Sequence, residues 1–204
     1  MTESIGAIDW TNELEMYFAK TAERSHGLAW LHKQAETLFA RKRNFVDLPV
    51  IVISTAVGFL QVGSQSMFGS DTSLASTLLG VGSLIVSVLN TTGTYFGFSK
   101  RAEGHRISSI QYNRLYRFLS VEMSLPRENR MSPRDLLKYT RDAYDRLDEI
   151  SPLVPPEIVK EFQRRFGKLV EIAKPEIANG LEKVSVYVEN PLRTIQSLSS
   201  VASS

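Results

Sequence analysis

Residues 72–99 read TSLASTLLGVGSLIVSVLNTTGTYFGFS, a run without one charge in a chain whose composition is 23% charged. From Leu48 to Ser99 the only charged residue is Asp71. On its other side lies a second apolar stretch, LPVIVISTAVGFLQVGSQSMFGS (48–70). A bilayer hydrocarbon core is roughly 30 Å thick and takes about 20 predominantly apolar residues to cross as a helix. Both stretches reach that length. The first carries Val50, Ile51, Val52, Ile53, Val57, Phe59, Leu60 and Val62; the second carries Leu74, Leu78, Leu79, Val81, Leu84, Ile85, Val86, Val88 and Leu89. A hairpin buried in a soluble domain would keep polar residues on an outer face. Here the polar residues are small and uncharged. The expected fold is an all-α membrane protein, a two-helix transmembrane hairpin (48–99) with spans at about 48–66 and 74–97, attached to a cytoplasmic helical bundle.

The flanks give an expected orientation. ARKRN (40–44) precedes the first span and KRAEGHR (100–106) follows the second, whereas the connecting QSMFGSD (65–71) has no Lys or Arg. A Lys/Arg excess marks the cytoplasmic side of a membrane protein. Arg41, Lys42, Arg43, Lys100, Arg101 and Arg106 therefore read as a basic membrane interface. Both termini are expected to face the cytoplasm or the equivalent virion interior, with the turn near Gly69–Thr72 on the far side. The same basic clusters can meet anionic lipid headgroups, although topology alone accounts for them. MTESIGAIDW (1–10) lacks a basic n-region and an apolar h-region, so no cleavable leader is expected.

Within the second span, Ser76, Gly80, Ser83, Ser87, Asn90, Thr94 and Gly97 follow at steps of four and three, which puts them on one helix stripe. Gly93 and Gly97 add a GxxxG step, the type of spacing that lets membrane helices approach closely. Ser54, Gly58, Gln61 and Gln65 repeat the pattern in the first span. Two uses of this stripe are open. It is a packing seam, within the hairpin or between copies in a homo-oligomer, or it lines an aqueous path with Asn90 as its most polar member. The spans hold no Asp, Glu, Lys or Arg of the kind proton relays use, which speaks against a transporter.

The remaining chain reads as helices. An N-terminal segment (1–47) has apolar residues at Leu14, Phe18, Ala22, Leu28, Leu31, Ala35, Leu38 and Phe39, near helical spacing. Pro49 at its end either starts the spanning helix or kinks it. The region 100–174 opens with a helix through Ile110, Leu115, Phe118 and Leu119 to a break at Pro126. Ser132, Pro133 and Asp135 form a helix start with Ser132 as N-cap. The helix that follows presents Leu136, Thr140, Ala143, Leu147 and Ile150 on one face, and SPLVPP (151–156) ends it. Another carries Ile158, Phe162, Phe166, Leu169 and Val170. The segment 175–204 holds a shorter helical piece near Pro175–Val188, in which VSVYV reads equally as extended, and a Ser-rich tail.

Catalytic and metal chemistry find little support. With no cysteine, there is no disulfide, thiolate site or cysteine nucleophile. A net charge of +2 gives no basic excess for nucleic acid. His26 and His32 lie six apart, off a shared helix face, and His105 is remote; all three read as surface or interface histidines. Asp142, Asp145, Asp148 and Glu149 alternate with Arg141 and Arg146, the pattern of a solvated face. GVG (80–82) sits inside the second span and is no phosphate loop. Neither an enzyme nor a cofactor is expected.

The run AWLHKQAETLFARKRNFVDLPVIVISTAVG (29–58) resembles the entry and first span of the SLATT family of two-transmembrane-helix proteins, through Trp30 and His32, Pro49, and Ser54–Thr55 followed by Gly58. Glu103, His105 and Tyr112 continue the likeness. EMSLPRENR (122–130) and YDRLDEISPLVPPEIVKEF (144–162) look most like the versions carried by large DNA viruses. The resemblance covers roughly residues 10–166. It implies either a membrane-perturbing or pore-forming effector, or a structural component of an internal virion membrane. In the structural case the hairpin anchors in the bilayer and the helices outside it bind a capsid or scaffold protein or another copy.

Overall fold

The computed structural model describes residues 8–68, 72–180 and 184, and for 64–68 and 72 the backbone only. Helix α1 (Asn12–Phe68) is followed by α2 (Thr72–Phe96), α3 (Phe98–Ser124), a 3₁₀ turn at Arg127–Asn129, α4 (Pro133–Ile150), α5 (Pro156–Phe166) and α6 (Glu176–Asn179). No strand occurs among the described residues. Residues 69–71 of the expected turn, the VSVYV segment past Val184 and the Ser-rich tail lie outside the described residues, and Thr72, expected in the turn, is the first residue of α2.

α1 is one helix of 57 residues, about 85 Å long at 1.5 Å per residue. Thr11 starts it: its hydroxyl accepts from the Leu14 amide at 3.2 Å, and Glu13 and Glu15 place negative charge in the first turn, where the helix dipole favours it. Pro49 neither starts nor ends a helix but lies inside α1. Its missing N–H withdraws one ladder bond, that to the Phe45 carbonyl.

The upper half of α1 packs along α3, and α4 closes the other side. Phe18, Ala22 and Ala29 of α1, Tyr112, Leu115 and Leu119 of α3, and Leu136 and Leu147 of α4 form one buried core. Each fully buried Leu or Phe here contributes about 2 kcal/mol relative to exposure. Small residues let α1 and α3 come close enough for the Ser109 hydroxyl to donate to the Ala29 carbonyl at 2.9 Å. A second core lies on the opposite flank of α1, where Leu31 and Ala35 meet Ile158 and Phe162 of α5 and Ala178 of α6.

The loop after α3 holds the free end of α1. Arg127 donates to both Glu15 carboxylate oxygens, at 2.8 and 2.9 Å. Arg130 reaches Glu15 at 2.5 Å and the Leu125 carbonyl at 2.7 Å. These guanidinium groups, Arg127 first, hold the Glu15 carboxyl down to about 2. Ser132 caps α4 as its position predicts, accepting from the Asp135 amide at 3.2 Å and donating to its carboxylate at 2.6 Å. Leu136, Thr140 and Leu147 of its predicted face are buried, whereas Ile150 at the last turn is exposed. α5 is shorter than its apolar pattern. It stops at Phe166 with Gly167 as C-cap, a poor helix former, and Leu169 and Val170 lie exposed beyond it. α6 likewise lasts four residues before Gly180 turns the chain at φ 77°.

Candidate functional site at the apolar hairpin and its base

The lower half of α1 and all of α2 are each long and apolar enough to cross a membrane, and only 6% of either apolar window is buried. The core helix of a globular domain would be mostly covered. Here Ile51, Val52, Phe59, Leu78, Leu84 and Val88 all face outward. Three threonine hydroxyls of these helices are satisfied locally. Thr55 donates to the Ile51 carbonyl, Thr91 to Ser87 and Thr92 to Val88, each at 2.8 Å. A threonine bonded back to its own helix makes no demand on its surroundings.

The seam of the hairpin is not the predicted stripe. It is formed by Val46, Ile53, Val57 and Leu60 of α1 against Ala75, Leu79, Gly82, Val86, Leu89 and Gly93 of α2, all buried or half-buried. A methyl group on Gly82 would sit 2.6 Å from Val57 Cγ2, and one on Gly93 would sit 3.3 Å from Val46 Cγ1. These two glycines set the close approach. By contrast Ser76, Gly80, Ser83, Ser87, Asn90 and Thr94 are exposed, and a Cβ on Gly80 or Gly58 would meet nothing within 4 Å.

The exposed residues are nevertheless brought together. Ser54, Val57, Gly58 and Gln61 of α1 and Ser83, Val86, Ser87, Asn90 and Thr91 of α2 line one open groove of about 520 Å³ along the hairpin. Ser76 and Gly80 lie outside it. Asn90 also opens onto a second cleft of about 290 Å³ at the base, shared with Arg43, Val46, Asp47, Gly93, Thr94, Gly97, Phe98, Ser99 and Lys100. The Asn90 amide has no hydrogen-bond partner among the described residues. Gly97 serves conformation rather than packing. At φ 58° and ψ 37° it separates α2 from α3, a backbone state that disfavours any residue with a Cβ.

The predicted basic residues cluster at this base. Lys42 and Arg101, from α1 and α3, stand over the same Phe39 ring at 5.6 and 5.7 Å. Lys42 lies 3.7 Å from Glu157 and Arg43 lies 3.9 Å from Asp47. Arg106 is committed to Glu103 at 2.7 Å. Arg41 and Lys100 are exposed.

Just above, two of the histidines expected at the surface are buried. His32 and His105 are 2% and 1% exposed and meet Nδ1 to Nδ1 at 2.9 Å. Tyr112 stacks on His32 and Phe39 on His105. Burial, then the neighbouring His105 charge, lowers His32 to about 4. Burial and Arg101 lower His105 as well. His26 instead stacks on Tyr116 at 4.2 Å. No group of three or more His, Asp or Glu gathers as a metal-ligand set among the described residues. The pair joins positions 32 and 105 across the α1–α3 register, which spacing within either segment does not reveal.

Comparison with family models, curated proteins and solved structures gives no match.

Proposed function

We propose that this chain is an integral membrane protein in which lower α1 and α2 cross the bilayer as a hairpin and copies associate side by side through the open Ser/Gly/Asn groove. The single observation behind this reading is the 6% burial of two apolar windows in an otherwise well-packed fold. Water-exposed apolar surface of that extent is unfavourable, and lipid removes the penalty. The basic residues at one end of both helices support an orientation with the bundle on the cytoplasmic side. In this reading the protein is a structural anchor: the hairpin holds it in the membrane, and the bundle is left to engage a scaffold or another copy. Small residues in the groove let helix backbones of neighbouring copies approach, and Asn90 supplies an interhelical hydrogen bond.

A second reading, an oligomeric pore, is favoured by the polar character of the same groove. Conductance separates the two. The full chain is reconstituted in planar bilayers beside Asn90→Leu, with Ser87→Cys cross-linking to register association. The anchor reading expects cross-linked oligomers that Asn90→Leu weakens, and no discrete currents in either protein. Discrete currents changed by Asn90→Leu would replace it with the pore. A protein that neither inserts nor cross-links would end both.

A further inference from the structure

At the base of the hairpin, cations from two different helices converge. Arg43 of α1 and Lys100 of α3 line the cleft of about 290 Å³, together with the polar side chains of Asn90, Thr94 and Ser99. Lys42 and Arg101 flank it around the Phe39 ring. Beneath the charges the walls are apolar, formed by Val46, Gly93 and Phe98. Two carboxylates accompany them: Asp47 lines the cleft itself, which leaves its lining cations one positive charge in excess, and Glu157 lies outside it. Asp47 is 3.9 Å from Arg43 and Glu157 is 3.7 Å from Lys42, both beyond a direct hydrogen bond. Lys100 has no ion pair among the described residues. A topology signal needs only a charge excess on one side; it does not need cations from two helices around one cleft.

We propose that this cleft binds the headgroup phosphate of an anionic phospholipid between Arg43 and Lys100, with Lys42 and Arg101 as flanking charges and Asn90, Thr94 and Ser99 as polar partners. The assignment rests on the membrane reading above, which places the cleft where the charged ends of the helices meet the headgroup layer. Its form fits a lipid better than a free anion. The cations adjoin an apolar wall of Val46, Gly93 and Phe98, and exposed apolar side chains such as Leu48, Ile51 and Val88 lie along the neighbouring helix faces, the division of a phospholipid into phosphate and acyl chain. Basic pockets between membrane helices on the cytoplasmic side take such headgroups.

The test uses the full chain in phosphatidylcholine bilayers that carry spin-labelled phosphatidic acid or spin-labelled phosphatidylcholine. The readout is the ratio of protein-bound label. The wild type is expected to prefer phosphatidic acid, and the preference is expected to fall by about fivefold for each cation removed in Arg43→Gln/Lys100→Gln. Lys138→Gln/Arg141→Gln, which removes the same charge from exposed positions on α4, is expected to leave it unchanged. Raising salt to about 1 M should weaken the preference in the wild type by screening, a check that needs no variant. An unchanged ratio in the cleft variant, or an equal loss in the α4 variant, would overturn the proposal. Displacement by inorganic phosphate at the lipid's own concentration would make the site one for a soluble anion and overturn the lipid assignment. An alkaline carbonate wash separates the two levels. Release of the chain overturns the spanning reading and this site with it, whereas retention without lipid preference overturns this site alone.

Discussion

His32 and His105 share one hydrogen bond, Nδ1 to Nδ1 at 2.9 Å, in the buried interface between α1 and α3. One imidazole donates and the other accepts; burial keeps both rings neutral, and they are then opposite tautomers at that nitrogen. A proton added at the acceptor's Nδ1 turns it into a second donor and breaks the bond, and one added to the donor ring enters at Nε2 and buries a charge in the interface; on His105 that charge also faces Arg101. Unfolded, each histidine takes its proton near 6.5, whereas in the fold His32 does so only at about 4. The neutral pair therefore contributes its full stability above pH 6.5 and loses it as the pH falls from 6.5 toward 4. The full His32 shift corresponds to about 3 kcal/mol. Thermal unfolding of the detergent-solubilised protein should show a marked loss between pH 7 and pH 5. His32→Gln/His105→Gln should flatten that slope, and a wild-type midpoint independent of pH in this range would refute the account.

The two sets of small residues in α2 should respond in opposite ways. Gly82→Leu drives a side chain into Val57 and should destabilise the hairpin by about 1–3 kcal/mol, the usual range for overpacking. Gly80→Leu has open space around it and should leave the monomer's stability within about 0.5 kcal/mol. Unfolding in detergent at concentrations that keep the protein monomeric makes the comparison. Equal losses at both positions would place the seam elsewhere.

Gly97 offers a backbone test free of steric contacts. With nothing within 4 Å of a Cβ there, Gly97→Ala should cost about 1–2 kcal/mol through its left-handed conformation alone. Gly97→Asn should recover part of it, because asparagine tolerates that region. The order Gly, Asn, Ala in thermal midpoint is the expected result.

Glu15 is the point at which two arginines fasten the loop after α3 to the first turn of α1. Glu15→Gln should loosen both, by about 1 kcal/mol given that Arg127 is largely solvated. Amide exchange should quicken in residues 12–20 and 125–131 and stay unchanged around Leu119. Exchange that rises uniformly would mean the contact supports global stability instead of a local clamp.

The apolar helices, their length and the basic flanks were all legible, because absence of charge over a whole span is a strong signal. The α4 cap was legible for a similar reason: Ser132, Pro133 and Asp135 act on their own backbone. The seam was not. Ala75–Gly93 and Ser76–Thr94 run one residue apart with the same three-four spacing, so periodicity cannot say which stripe faces α1. The more polar one stands out in the sequence, yet the seam is filled by residues matched in size, glycine against valine. The Arg43–Lys100 cleft was half legible. Each basic cluster stands out in the sequence, but their meeting depends on α1 and α3 lying side by side. The histidine pair depends on the same register and left no local trace.

The two paths from bundle to hairpin differ mechanically. α1 runs without a break from Asn12 to Phe68, its ladder weakened only at Pro49, so a push on its Glu15 end is carried into the hairpin as displacement or tilt. The return path is two rods with a swivel, since Gly97 interrupts it at a left-handed residue. Rotation of α3 can be absorbed there before it reaches α2.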